Sequence, residues 1–109
     1  MKKFLVLYRA TQSAREQMAK ATPEQAKQGM DMWMAWGKKA ASAIVDMGSP
    51  TGEVHAIGGA ASGGSHIGGF SILQGESLDD VKKALDGHPH LMMPGATIEV
   101  LEFLSMPGM

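Results

Sequence analysis

The period of the apolar positions changes several times along this chain, and each change marks an element. Phe4, Leu5, Val6, Leu7 and Tyr8 run almost unbroken between Lys3 and Arg9, as in a central strand covered on both faces. Ala10 to Thr22 is polar and reads as a connection, in which Arg15 to Lys20 has the composition of a short helical turn. Thr22-Pro23-Glu24-Gln25 then starts a helix. Threonine is the N-cap, proline takes the first helical position, and Gln25 stands three residues after the cap. This helix is predicted to run to about Met47. Ala26, Met30, Trp33, Gly37, Ala40, Ala41 and Ile44 recur at three- and four-residue steps and form its buried stripe. Met32, Trp36, Ala43 and Met47 point elsewhere, giving a second apolar surface for a partner or for the far wall of a pocket. Gly48 is placed to end the helix, and Ser49-Pro50 turns the chain.

Thr51 to Gly58 alternates and predicts a second strand, with Val54, Ala56 and Gly58 on one face and Glu53, His55 and Ile57 on the other. Gly58 to Ser65, GGAASGGS, is a flexible link to a third strand over His66 to Leu73. Ser77, with Asp80 three residues on, caps a second helix from Leu78 to Asp86, whose Leu78, Val81, Ala84 and Leu85 share a face. Gly87 and Pro89 stop it, and His88 to Pro94 is irregular. Ala96 to Leu104 is a fourth strand: Ile98, Val100 and Glu102 face one way, and Thr97, Glu99, Leu101 and Phe103 the other. Ser105 to Met109 is a loose tail. The order β-α-β-β-α-β is the ferredoxin-like pattern of the α+β class. It predicts a four-stranded antiparallel sheet with two helices on one face, as a single domain over residues 1–104. The other sheet face has no cover within the chain, and a second copy is the simplest one.

Composition narrows the picture. The 109 residues carry a net charge of -1, so no basic field points to nucleic acid or an anionic membrane. No apolar run approaches the roughly 20 residues that span a bilayer. The opening MKKFLVLY is a strand rather than a signal peptide, because the apolar run stops at Arg9 with no small-residue cleavage site after it. The chain has no cysteine, which excludes disulfides, thiolate metal sites and a cysteine nucleophile and fits the cytoplasm. Methionine is abundant, at 10 residues, and suits adaptable packing and subunit contacts.

Four histidines are the chemically useful groups: His55, His66, His88 and His90. Histidine is the natural acid–base side chain near neutral pH. His88 follows a helix C-terminus, whose dipole favours imidazolium, and His55 is carried mid-strand beside Glu53. These two are the acid–base candidates. Trp33 and Met30 are candidates to line a pocket, with Phe70 on strand three, and Arg9 is placed to hold an acidic group. His-x-His spacing with Glu99 or Glu53 matches no tight metal motif, so neither metal nor cofactor is expected. GGAASGG lacks Gly-Lys-Ser/Thr and does not precede a helix, which argues against a phosphate loop.

The chain resembles the YCII-related family, including its DGPF-type branch, among the dimeric α+β barrels. The resemblance rests on MKKFLVLYR, on Met30 to Trp33 with Trp36, on GGFSILQGESLDDVKKAL, and on GHPHL followed by Pro94-Gly95-x-x-Ile98-Glu99-Val100. It implies a homodimer whose sheets face one another, with a pocket in each subunit between sheet and helices. Some relatives act in catabolic pathways, and a His-Asp pair is proposed as catalytic in some. Here Ile67-Gly68-Gly69-Phe70 stands in place of Asp-Gly-Pro-Phe, and Tyr8-Arg9 stands where strand one would carry a histidine. That pair therefore does not carry over. Two readings follow. One is a homodimer that binds a small, partly apolar molecule and turns it over by cofactor-free histidine chemistry. The other is a non-catalytic accessory or ligand-sensing domain.

Overall fold

A computed structural model describes residues 1–61 and 66–108. The elements follow in the order β1 (Lys2–Ala10), α1 (Ala14–Lys20), α2 (Pro23–Lys39), β2 (Ile44–Pro50), β3 (His66–Gly75), α3 (Leu78–Leu85) and β4 (Thr97–Glu102), with single 3-10 turns at Ala41–Ala43 and Pro89–Met92. The four strands form one antiparallel sheet in the order β2-β3-β1-β4. This α+β architecture is compatible with the ferredoxin-like arrangement. Among the described residues no helix is long and apolar enough to cross a membrane.

Alternation along β1 separates the two faces of the sheet. Phe4, Val6, Tyr8 and Ala10 are buried, whereas Leu5, Leu7 and Arg9 are half-buried on the other side. Tyr8 lies opposite Ile98, and Val6 opposite Val100, so β4 presents the face expected of it. The core joins Phe4, Val6, Tyr8 and Leu73 of the sheet to Trp36 and Ala40 and to Val81 and Leu85 of α3, with Trp33, Ile44, Ala84, Ile98 and Val100 packed around it.

The helix starts are set locally. Thr22 Oγ1 accepts from Gln25 N at 3.1 Å while Gln25 Oε1 accepts from Thr22 N at 3.0 Å, and Ser77 Oγ accepts from Asp80 N at 3.4 Å. The polar segment after β1 is more ordered than expected. Ser13 caps α1 by accepting from Glu16 N at 3.1 Å. None of the residues of α1 is buried, so the apolar stripe that would have revealed it does not exist.

The expected second strand is displaced. α2 ends at Lys39, and the strand is Ile44–Pro50 rather than Thr51–Gly58. β-Branched Ile44 and Val45 favour the pleated backbone, and Ile44 pairs with Leu73 of β3. Gly48 does not end a helix. It lies in a register shift between Asp46 and Ser49, with φ +79° and its Cα against the Phe70 carbonyl. Among the described residues that follow Pro50 in this segment, Thr51 stays tied to β3, through Thr51 N to Gly68 O at 3.1 Å and Thr51 Oγ1 to Ile67 O at 2.8 Å. Val54, His55 and Ile57 are exposed. The glycine-rich link expected over 58–65 falls partly on 62–65, outside the described residues. β4 stops at Glu102, two residues short of the expectation.

The stripe on α2 is also rotated. Trp36, expected to point away, is buried, while Ala26 and Met30 are exposed. Residues 22–28 are exposed throughout, so α2 meets the core only from Trp33 onward. Leu78 of α3 is likewise exposed.

Candidate functional site

Three local rules bring the histidine-bearing loop into the core. β1 alternation turns Tyr8 toward the helices, and the three-residue step on α2 sets Trp33 and Trp36 side by side. After α3, Gly87 at φ +71° turns the chain, a backbone state that glycine adopts without strain. His88 then caps the turn at Pro89–Met92 and enters the ring cluster. Its imidazole stacks on Tyr8, with centroids 4.9 Å apart and planes at 29°. It meets Trp33 and Trp36 at 4.4 Å each, with planes at 86° and 60°. His88 is 1% exposed. Trp33, half-buried, is the ring of this group that reaches solvent.

The hydrogen bonds fix the tautomers. His90 N donates to His88 Nδ1 at 3.0 Å, so Nδ1 carries no proton and the neutral ring carries it on Nε2. His88 Nε2 is buried and has no hydrogen-bond partner among the described residues. A buried donor left unpaired costs about 1–3 kcal/mol. Burial, and after it the neighbouring His90, push the His88 imidazole down to about 4, so the ring is neutral at physiological pH. His90 has a different task. Its Nε2 lies 2.9 Å from Arg9 O and 3.1 Å from Thr97 O. Both are acceptors, so this nitrogen donates and ties the end of β1 to the start of β4.

The neighbouring polar groups are engaged. Ser71 Oγ lies 2.7 Å from Met47 O and 2.8 Å from Tyr8 OH. A carbonyl only accepts, so the single serine proton goes to Met47 and the Tyr8 phenol donates to Ser71. Burial pushes the phenol above its ordinary range, with the Ser71 bond offsetting part of the shift. Trp36 Nε1 donates to Ala84 O at 2.9 Å. Removing the middle of the first chain with Ser71→Ala should cost about 2 kcal/mol in denaturant unfolding, because it leaves the Tyr8 hydroxyl unpaired in the core. A loss below about 0.5 kcal/mol would show that the phenol finds another acceptor.

The remaining sequence candidates lie elsewhere. His55 is exposed on the segment after β2, where Glu53 is drawn below the usual carboxylate range chiefly by its hydrogen bond to Arg15, at 2.9 Å. Arg9 alternates onto the face opposite the core and pairs with Glu99, Nη1 to Oε1 at 3.2 Å. Phe70 lies opposite Leu7 on that same face. Met30 is exposed on α2. Of the six candidates, the ring cluster contains His88 and Trp33. It adds Tyr8 and Ser71, which the sequence reading left out of the site, and Trp36, which that reading placed on a second apolar surface, for a partner or the far wall of a pocket. Ser71 did carry a signal, since a hydroxyl inside the apolar run Phe70-Ser71-Ile72-Leu73 needs a partner when buried.

Among the described residues no cluster of histidines and carboxylates is arranged to hold a metal ion. Two surface depressions, of about 430 and 280 Å³, are lined by Met1, Lys2, Lys3 and residues 102–105, and by Ala10, Thr11, Gln12, Gln17, Met93 and Pro94. Neither is lined by His88 or Trp33. The larger has no chemistry beyond surface charges, and the ring cluster remains the candidate site. The fold and cluster together define an α+β protein with a neutral imidazole held among aromatic rings beneath its helices. No protein-family model matches the chain, and a search of curated proteins finds no match.

Proposed function

We propose that this chain binds a small, partly apolar molecule at the Tyr8–Trp33–Trp36–His88 cluster, as a homodimer of the dimeric α+β barrel kind. The observation that carries the reading is the unpartnered Nε2–H of His88. It is a fixed donor walled by aromatic rings, with one of them at the surface. The resemblance to YCII-related proteins supports it, because that family is implied to hold its pocket between sheet and helices. Binding without turnover is the form the geometry favours. Nδ1 of His88 is occupied, the ring is a weak base, and His55 stands on the exposed segment rather than beside it. Both tryptophans of the chain belong to the cluster, so intrinsic fluorescence reads occupancy directly. A screen of small aromatic compounds should find saturable quenching in the native protein. A screen in which no compound changes the tryptophan signal removes the proposal.

The homodimer is supported by the sheet face opposite the core, where Leu5, Leu7, Phe70 and Ile72 are half-buried side by side and Leu101 is exposed. Contiguous apolar surface of this kind calls for a cover. Sedimentation velocity at micromolar concentration should give a dimer, and Leu7→Lys with Ile72→Lys should give a folded monomer. A native protein that sediments as a monomer would contradict the arrangement.

A further inference from the structure

The polar accounting around His88 carries the binding reading further, to a class of ligand. The polar side chains around the cluster are bonded to carbonyls: Trp36 Nε1 to Ala84 O, Ser71 Oγ to Met47 O, and His90 Nε2 to both Arg9 O and Thr97 O. The Tyr8 hydroxyl gives its proton to Ser71, and its oxygen is not bonded to His88 Nε2. His88 Nε2–H is the donor left over, and the tautomer that presents it is locked by His90 N. What faces it is uncharged: the rings of Tyr8 from β1 and of Trp33 and Trp36 from α2. The other titratable group in contact on this side is His90, through its backbone N. The ion pair of Arg9 with Glu99 belongs to the opposite face of the sheet.

This setting selects by charge and by shape. An anion would be desolvated against ring faces with no cation to meet it. A cation would suit the rings but would meet an N–H with nothing to accept it. A neutral acceptor satisfies the donor, and a planar one suits the aromatic surroundings.

We infer that the cluster takes a neutral, planar carbonyl compound, such as an aryl ketone or aldehyde, whose oxygen accepts from His88 Nε2–H and whose ring takes the place Trp33 holds at the surface. The inference rests on the binding site proposed above and adds its ligand class.

Three probes of one size test it on the full chain at neutral pH: acetophenone, benzoate and benzylamine. Proton–nitrogen NMR of the histidine rings follows Nε2–H, and tryptophan fluorescence follows occupancy. Acetophenone should saturate, move the His88 Nε2–H resonance downfield, and bind at least tenfold more tightly than either charged probe. His88→Asn keeps an acceptor near the Nδ1 position for His90 N and removes the Nε2 donor. It should weaken acetophenone about tenfold, as loss of one hydrogen bond worth about a decade of affinity predicts. Should that variant lose its native near-ultraviolet circular dichroism, the NMR measurement on the unaltered protein decides alone. Tighter binding of benzoate or benzylamine would overturn the ligand class while leaving the site in place. If no probe moves either signal, both the class and the site fall.

Discussion

Gly48→Ala should destabilise the protein by about 4 kcal/mol, the largest effect expected of a methyl group added at any described glycine. Two costs add. Gly48 has φ +79°, a conformation that penalises an L side chain by about 1–2 kcal/mol. The added Cβ would also overlap the carbonyl oxygen of Phe70 and come within 2.6 Å of its carbonyl carbon. Both are backbone atoms of a paired strand, so nothing flexible can yield, and overpacking of this kind costs about 1–3 kcal/mol. Relief requires β2 to move off β3, taking Ile44 from the core. Gly58 is the control. Its φ is +90° but a Cβ there meets nothing, so Gly58→Ala should show the conformational cost alone, about 1 kcal/mol. Urea unfolding of both variants separates the two contributions. Equal losses would mean that the close approach of β2 to Phe70 is absent in solution.

The second large effect follows from His88. Its imidazole is depressed to about 4 from the ordinary value near 6.5, so the folded state takes up its proton later than the unfolded chain does. The stability linked to this group is therefore complete above about pH 6.5, falls as pH drops, and is gone below about pH 4. A depression of this size corresponds to roughly 3 kcal/mol. The structural reason is direct. A proton on Nδ1 would confront the N–H of His90, and a charged ring would sit among Tyr8, Trp33 and Trp36 with no counter-ion. Glu53, drawn below the usual carboxylate range by Arg15, also contributes in acid, so the comparison is with His88→Asn. The native protein should lose about 3 kcal/mol more than the variant between pH 7 and pH 4 in urea titrations. Parallel pH profiles would show that His88 is solvated.

The features legible in the sequence are those decided within a few residues. Thr22-Pro23-Glu24-Gln25 and Ser77 with Asp80 mark helix starts because a cap is a bond between near neighbours. The faces of β1 and β4 follow from strict alternation. β2 was not legible, because Ala40, Ala41 and Ile44 continue the spacing of the helix before them. What makes Ile44 a strand residue is Leu73, far along the chain. The same mistake set the angle of the stripe: with the segment after Lys39 leaving the helix, the buried side turns toward Trp36. His88 illustrates the limit for the site. Nothing in Gly87-His88-Pro89-His90 is apolar enough to foretell a buried imidazole, since the rings that bury it come from β1 and α2. The residue was legible as a candidate, but its protonation and its role as a donor were not.

His90 has a further consequence, for how the last strand finds its place. β4 is an edge strand held by β1 alone, and its side chains differ sharply between faces: Ile98 and Val100 one way, Glu99 and Leu101 the other. A slip of one residue would put Glu99 against the core. The imidazole of His90 reaches Arg9 O and Thr97 O together because those residues stand opposite each other in the paired strands. A slipped alignment separates the two carbonyls and forfeits the shared bond. The second histidine of the loop thus works as a vernier, checking that first and last strands have met in phase before the chain closes.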